Sequence, residues 1–199
     1  FSGDGLLSPL PEGEGAGVRV SLAQARGFLE AGADILDVGG ESTRPGSAPV
    51  NAEQEMERVI PVIRALKENF SEALISIDTY KASVAEEAVK AGAHFLNDVW
   101  GLRADPDLAM VSALINVPVI LMHNRSNPAS VEVREKLGIA YIGSEYQSLI
   151  EDVKRELMDS VSIAHAAGIP DERIILDPGI GFGKTVSHNL ELINRLDEI

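Results

Sequence analysis

Cysteine is absent from the 199 residues of this chain. Its absence excludes disulfide bonds, thiolate metal sites and a cysteine nucleophile, and it is compatible with a reducing compartment. No apolar run approaches the roughly 18 residues that a membrane-spanning helix requires. No signal peptide is visible at the start of the sequence. We therefore expect a cytoplasmic protein that does not enter a membrane.

Positive charge is scarce as well. The chain has 17 Lys and Arg residues against 31 Asp and Glu residues, which gives a formal net charge of −14 at pH 7. This balance argues against a nucleic-acid partner, because binding to a phosphate backbone depends on counterion release by basic side chains. A small anionic substrate is not excluded, since a single pocket can be locally positive on an acidic protein.

A repeated pattern is the most informative feature that is present. A short apolar run ends in a polar residue, a loop follows, and helical apolar spacing comes next. Five such runs predict strands at 34–38, 74–78, 94–98, 118–122 and 173–176, and six helical patterns flank them. This alternation is typical of βα-repeat proteins, whose active sites lie at the carboxyl ends of parallel strands. Periodicity alone favours neither a closed (βα)8 barrel nor an open doubly wound sheet.

The sequence predicts one domain over 1–199, since no linker divides it. Glycine and proline in residues 1–20 predict a mobile loop, with the first helix starting at Ser21, where Gln24 completes a capping box. A second mobile loop is predicted at 40–50. Residues 124–143 lack a clear period and are predicted to be irregular.

Polar side chains end all five predicted strands. Among them are Asp37, Asp78, the pair Asn97 and Asp98, and Asp177. Carboxylates that converge on one pocket repel each other unless a cation or a donor-rich ligand lies among them. A carboxylate can accept two parallel hydrogen bonds from a heterocycle with adjacent N–H groups. Each aspartate alone could instead cap the following turn or helix, but five polar ends out of five weaken that interpretation for the set.

Two glycine-rich segments follow strands. The segment 39–46 carries Arg44, a planar cationic fork suited to a carboxylate or phosphate. The segment 179–185 resembles a P-loop but has Pro178 where that motif requires glycine, and proline offers no N–H donor. We therefore reject ATP hydrolysis and leave open an anion site at the helix start. The four histidines lack the spacing of a zinc site.

At these residues the chain resembles the dihydropteroate synthase family. The matching segments occur in family order at 37–46, 76–81, 96–99, 121–123 and 176–185, and the resemblance covers Phe1 to about Leu196. It implies an α/β fold of the (βα)8 TIM-barrel type. It also implies condensation of 6-hydroxymethyl-7,8-dihydropterin pyrophosphate with p-aminobenzoate, which gives 7,8-dihydropteroate and pyrophosphate in folate biosynthesis. Mg²⁺ as a cofactor, a homodimer and sulfonamide binding are further expectations of this resemblance.

The resemblance also implies which residues hold the pterin. Asp177 would bind the amino-pyrimidine edge of the ring system. Asn97 and Asp78 would contact the ring, and Val99 and Met122 would line its slot.

Two loops and one aromatic residue would complete the sites for p-aminobenzoate and pyrophosphate. The residues that the resemblance implies for them are Thr43, Arg44, Pro45, Phe1, Asp4 and Phe182. Of these, Arg44 and Asp4 would act in catalysis together with Asp78 and Asp177.

Some family segments have no counterpart in the sequence. An Asn-x-Thr-Pro-Asp-Ser segment, whose asparagine helps to hold Mg²⁺, would lie before Phe1, and a Ser-Arg-Lys segment and a final Arg-x-His would follow the last residue. We therefore expect a partial barrel without the first and the last two strands, and no metal ligand in this segment. We also expect the isolated 199 residues to be poorly active.

Two alternative functions stay open. One is a pterin-binding methyltransferase domain on the same barrel, although the Arg44 loop counts against it because methyl transfer has no pyrophosphate to hold. The other is a non-catalytic barrel module, which the missing lysine and asparagine would favour.

Overall fold

The fold was analysed in a computed structural model that describes residues 14–42, 49–126, 131–134, 138–141 and 145–199. The helices are α1 (Glu14–Glu30), α2 (Ala52–Asn69), α3 (Ala82–Ala91), α4 (Leu108–Ile115), α5 (Leu149–Ala166) and α6 (Val186–Asn194). The strands are β1 (Ile35–Gly39), β2 (Leu74–Asp78), β3 (Phe95–Asp98), β4 (Val119–Met122), β5 (Val131–Arg134), β6 (Gly138–Tyr141) and β7 (Ile174–Asp177). Within these ranges, no helix combines the length and the apolar character needed to cross a membrane.

The order of the strands decides between the two architectures that periodicity left open. The main sheet is parallel with the order β1-β2-β3-β4-β7, so each new strand is added at the same edge. Because parallel crossovers are right-handed, this order places every connecting helix on one face of the sheet. A doubly wound sheet would instead reverse its order and be covered on both faces. The five strands are therefore part of a barrel wall, which confirms the predicted fold class.

The two faces of the sheet differ in burial as a barrel wall requires. Side chains alternate along a strand, so Leu36, Ile75 and Leu96 point towards the helices and are buried in the hydrophobic core. On the other face, Ile35 and Leu74 are apolar but 41% and 40% exposed. We call this second face the open face. It carries Ile35, Asp37, Leu74, Ser76, Asp78, Phe95, Asn97, Ile120, Met122, Ile175 and Asp177.

Helix α1 begins earlier than predicted. It starts at Glu14, so the predicted loop over 1–20 is too long and Ser21 is not a cap. The Ser21 hydroxyl donates to the carbonyl of Gly17 four residues back, inside the helix, at 3.0 Å. Val18 packs against the core one turn before Leu22, which extends the apolar stripe towards the N-terminus.

The segment 124–143 is not irregular throughout. Strands β5 and β6 pair antiparallel, with Val131 opposite Tyr141 and Arg134 opposite Gly138. The prediction of a long loop is therefore wrong for these eight residues. The alternation of Val131, Glu132, Val133 and Arg134 in the sequence is the period of a strand and is the signal that indicates it.

Candidate active site

The register of the parallel strands brings the predicted pterin residues together at one end of the open face. Asp78 pairs with Asn97 across β2 and β3, and Met122 pairs with Asp177 across β4 and β7. Asn97 also donates from Nδ2 to Oδ2 of Asp37 on β1, at 3.2 Å. The open face thus presents carboxylates and an amide around a buried methionine, at the carboxyl ends of the strands, where barrel enzymes bind substrates.

Two carboxylates of this cluster, those of Asp78 and Asp37, have raised pKa values. Burial raises the pKa of Asp78 well above its ordinary value, and repulsion from nearby carboxylates raises it further. The repelling groups are those of Asp37, Glu55, Asp98 and Glu41. Asp37 is exposed on the open face but crowded by protein atoms, and this desolvation raises its pKa although Asn97 donates to it. Such a cluster favours a ligand that brings N–H donors to it.

Asp98 serves the fold and not the open face. Its carboxylate accepts from the backbone N–H groups of Trp100, at 2.9 Å, and Leu102. Leu102 has a φ of 63°, so Asp98 stabilises an unfavourable turn directly after β3. Burial raises the pKa of Asp98 to about 6. For this strand end, the capping interpretation is the correct one.

Val99 lies in the same turn. It is buried, and its carbonyl accepts from Nδ2 of Asn124 at 3.0 Å. It is not part of the main hydrophobic core under the helices. Its predicted place in the pterin slot stays a prediction.

The loop after β7 is built around Asp177 and Gly179. Oδ1 of Asp177 accepts from the backbone N–H of Gly179 at 2.7 Å, and Phe182 donates its N–H to the carbonyl of Gly179 at 3.1 Å. Gly179 has a φ of +70°, and a Cβ atom placed there would lie 1.9 Å from the carbonyl oxygen of His123. Only glycine fits this position, because the loop crosses the end of β4 in direct backbone contact.

Lys184 is the residue of this loop whose position sequence reasoning missed. It is 3% exposed, and its Nζ lies 2.9 Å from Nδ1 of His123, 2.9 Å from the carbonyl of Gly179 and 3.0 Å from that of Phe182. The side chain points into the loop and not towards a phosphate. At the start of α6, Thr185 accepts from the N–H of His188 at 3.2 Å, so the chain itself caps this helix. These contacts count against the anion site left open above.

His123 connects this loop to helix α5. Its Nε2 lies 3.0 Å from Oε2 of Glu156. The same oxygen accepts a hydrogen bond from Nε of Arg125 at 2.9 Å. Because Lys184 donates to Nδ1, the proton of the neutral ring is on Nε2, where it donates to Glu156. Burial lowers the pKa of His123 to about 4, and the hydrogen bond from Arg125 lowers the pKa of Glu156.

The buried, neutral His123 predicts a loss of stability in acid. The unfolded chain binds the proton near pH 6.5 and the folded chain only near pH 4, so the stabilising contribution falls as the pH drops through this window. The free-energy difference between wild type and His123→Gln should shrink by up to about 3 kcal/mol from pH 7 to pH 4. Urea unfolding of both proteins at several pH values measures it. A difference that does not change with pH would contradict the assignment of a neutral His123.

A buried charge cluster fixes the start of the first glycine-rich segment, 39–46. Lys81 forms ion pairs with Glu41 and with Glu55, which is 1% exposed. Tyr80 donates its hydroxyl to Glu41 at 3.2 Å, and Arg58 donates to the carbonyl of Gly40 at 2.8 Å. We call these six residues, Gly40, Glu41, Glu55, Arg58, Tyr80 and Lys81, the loop clamp. It ties the chain before residue 43 to helices α2 and α3.

The loop clamp predicts an asymmetric response to mutation. Lys81→Met should lower the free energy of unfolding by about 2 kcal/mol, because Glu55 then stays buried without a cation, discounted for the partial exposure of Lys81. Adding Glu55→Leu should restore much of the loss. Lys90→Met, which removes an exposed lysine from α3, should leave stability almost unchanged. Equal stability of Lys81→Met and Lys90→Met in denaturant titrations would contradict the clamp.

Five predicted residues lie outside the described residues. They are Phe1, Asp4, Thr43, Arg44 and Pro45. Phe182 is described and half-buried in the loop after β7, and its role towards p-aminobenzoate stays a prediction. Among the described residues, no group of three or more His, Asp or Glu side chains is arranged to hold a metal ion.

Comparison with known families gives one match over nearly the whole chain. The profile of the family described as pterin binding enzyme matches residues 12–199. Dihydropteroate synthase of Clostridium beijerinckii is 48% identical over 182 residues, which cover 92% of this chain and 61% of that protein. The Bacillus subtilis enzyme of the same name is 47% identical over 177 residues, which cover 89% of this chain and 56% of the relative.

Solved structures agree with these relatives. A dihydropteroate synthase of Clostridium difficile, crystallised in the presence of pteroic acid, has a TM-score of 0.79 at 41% identity, covering 92% of this chain and 63% of that one. A Yersinia pestis dihydropteroate synthase in complex with a sulfonamide drug has a TM-score of 0.79 at 36% identity, covering 91% and 61%. The chain therefore spans about 60% of the length of the relatives it matches.

Proposed function

Because the chain belongs to the pterin-binding enzyme family, we propose that it supplies the pterin-binding part of a dihydropteroate synthase. The proposed reaction joins 6-hydroxymethyl-7,8-dihydropterin pyrophosphate to p-aminobenzoate and forms 7,8-dihydropteroate and pyrophosphate. The relatives named above carry this activity in their names, which favours it over methyl transfer and over a non-catalytic module. A homodimer and a cytoplasmic location belong to the same proposal.

The observation that carries the proposal is the cluster of Asp78, Asn97 and Asp177 at one end of the open face. A pterin presents adjacent N–H and NH₂ donors on its pyrimidine edge, and a carboxylate matches them with two parallel hydrogen bonds. Asp177 is suited to this contact because its loop holds Oδ1 in place through the Gly179 N–H. Asn97 adds an amide that can donate and accept along the same ring.

The same carboxylates suit the chemistry of the transfer. The bond between the pterin methylene carbon and the pyrophosphate oxygen breaks, and the electron pair leaves with pyrophosphate. The amine nitrogen of p-aminobenzoate then forms the new bond and releases one proton. Positive charge that develops on the pterin would be stabilised by Asp78, which is desolvated, and by Asp177, whose Oδ1 accepts from the Gly179 N–H. Closure of the predicted loops, the one before α1 and the one after the loop clamp, would exclude water, which otherwise captures the cation.

Arg44 and Phe182 have complementary parts in this proposal. Arg44 comes three residues after Glu41 of the loop clamp, so its guanidinium would reach pyrophosphate from a loop with a fixed start. Phe182 would provide an apolar wall for the p-aminobenzoate ring beside Asp177.

Mg²⁺ belongs to the proposal only as a partner of pyrophosphate. The described residues do not form a cluster that would hold the ion, so no step is assigned to it here. The proposed source of a protein ligand is the asparagine of the family segment that the sequence does not contain.

A steady-state assay of the full-length protein tests the proposal. With pterin pyrophosphate and p-aminobenzoate, we expect dihydropteroate and pyrophosphate to form in equal amounts. A folded protein that makes neither product, but transfers a methyl group from methyltetrahydrofolate, would establish the methyltransferase alternative instead.

A further inference from the structure

We propose that Lys184 is a positioning residue whose ammonium holds the loop 178–184 in the shape that aims Asp177 and Phe182 at the substrates. The inference rests on the proposed function, since it assigns Lys184 to the same site. It differs from what the Gly-Phe-Gly-Lys-Thr sequence indicates on its own, which is a lysine that contacts phosphate.

The contacts of Lys184 match an ammonium group in number, and burial lowers the pKa of this ammonium to about 7. Three acceptors lie within 3.0 Å of Nζ, namely Nδ1 of His123 and the carbonyls of Gly179 and Phe182. An ammonium has three N–H donors, so each can be used once. The side chain is 3% exposed, and therefore these acceptors have little access to water as a substitute.

The bonds of Lys184 act on the two functional residues through the backbone. The carbonyl of Gly179 accepts from Lys184, while the N–H of the same glycine donates to Oδ1 of Asp177. The second carbonyl belongs to Phe182 itself. These two groups lie on successive peptide units that meet at the Cα of Gly179, so a change in the backbone of Gly179 would shift the carboxylate that meets the pterin edge. A displaced Phe182 backbone would move its ring.

The third acceptor of Lys184, Nδ1 of His123, is linked through the His123 ring to helix α5. His123 is held through Nε2 by Glu156, whose two carboxylate oxygens share the Nε–H of Arg125 at 3.1 and 2.9 Å. The ring of His123 is therefore fixed in the tautomer that accepts from Lys184. This arrangement joins the end of β4, the loop after β7 and helix α5 without leaving Lys184 free to bind an anion.

Lys184→Met in the full-length protein tests the inference. Methionine keeps the apolar stem but cannot donate, so Nδ1 of His123 and the carbonyl of Phe182 lose this donor, and the carbonyl of Gly179 keeps only the N–H of Phe182. We expect the dissociation constant of 6-hydroxymethylpterin pyrophosphate, measured by calorimetry, to rise at least tenfold. The KM for the pterin should rise by a similar factor while kcat changes less. All measurements are made well below the melting temperature, with circular dichroism to confirm the fold.

Thr185→Ala is the matched control, because it removes the cap of α6 next to Lys184 but none of its three bonds. It should lower the melting temperature and leave pterin binding normal. Should Lys184→Met fail to fold, Lys184→Gln takes its place, since an amide can donate to at most two of the three acceptors and should still weaken binding at least threefold.

Wild-type affinity in a folded Lys184 variant would overturn the positioning role, and so would an equal loss of affinity in Thr185→Ala. Failure of the wild-type protein itself to bind the pterin would instead contradict the proposed function.

Discussion

Asparagine in place of Asp78 is expected to make the protein more stable and to weaken its binding of a pterin at least tenfold. The carboxylate of Asp78 is desolvated and faces four other carboxylates, so its ionised form costs free energy in the absence of a ligand. Asparagine has the same shape and no charge. It removes this repulsion, but it also removes an acceptor that the charged or donor-rich pterin ring would use.

The sign of the pH dependence follows from the raised pKa of Asp78. The folded state binds the proton more tightly than the unfolded state, so this group lowers stability as the pH rises above the ordinary pKa of 3.8. The melting temperature of Asp78→Asn should therefore match wild type in strong acid and exceed it at pH 7. Differential scanning calorimetry across this range measures the difference.

Asp34→Asn is the control for this substitution, since Asp34 is exposed just before β1, at the opposite end of the strands. It should change neither the melting temperature nor the affinity for the pterin. A destabilised Asp78→Asn protein at pH 7, or one with wild-type affinity, would show that the carboxylate cluster is not strained in the way described.

Gly179→Ala is expected to lower the free energy of unfolding by more than about 4 kcal/mol and to abolish measurable pterin binding. The positive φ of 70° already costs an alanine about 1–2 kcal/mol. The larger part comes from the clash, because the new Cβ, whose position the backbone fixes, would lie 1.9 Å from the backbone carbonyl oxygen of His123. The loop must move, and Asp177 loses the N–H that fixes its carboxylate.

Gly181→Ala separates these two costs. Gly181 also has a positive φ, of +90°, but no atom lies within 4 Å of the place of its Cβ. The free energy of unfolding of Gly181→Ala should fall only by the conformational cost of about 1–2 kcal/mol, and the variant should keep its affinity for the pterin. Chemical denaturation and calorimetric titration of both variants measure the difference. Equal losses in the two proteins would mean that close packing against β4 does not determine the shape of the loop.

The sequence predicts the regular part of this fold because apolar periodicity and helix-to-strand turns are local signals. All five parallel strands lie within one residue of their predicted bounds, for example β2 at Leu74–Asp78. The start of α1 was predicted too late, since Ser21 has the residue type of a cap but bonds backwards inside the helix. Strand order is not local, and only the structure could decide between barrel and doubly wound sheet.

The sequence likewise predicts one part of the candidate site and not the other. The strand-end residues Asp78, Asn97, Met122 and Asp177 could be grouped in advance, because parallel strands place their carboxyl ends together. The direction of a side chain after the strand could not be predicted. Lys184 turns inward to backbone carbonyls that have no sequence signature, although its neighbours suggest a phosphate loop. The loop clamp around Lys81 joins residues 40 positions apart and is equally invisible in one sequence.

The most direct test of the pterin site is a calorimetric titration of the full-length protein with 6-hydroxymethylpterin pyrophosphate, for wild type and Asp177→Asn. Asparagine keeps the oxygen that accepts from Gly179, so the loop should stay in place. The negative charge and the second acceptor oxygen are lost. We expect one saturable site in wild type and an affinity at least about 100-fold lower in the variant. Equal affinity in the two proteins would contradict a pterin pocket at the open face.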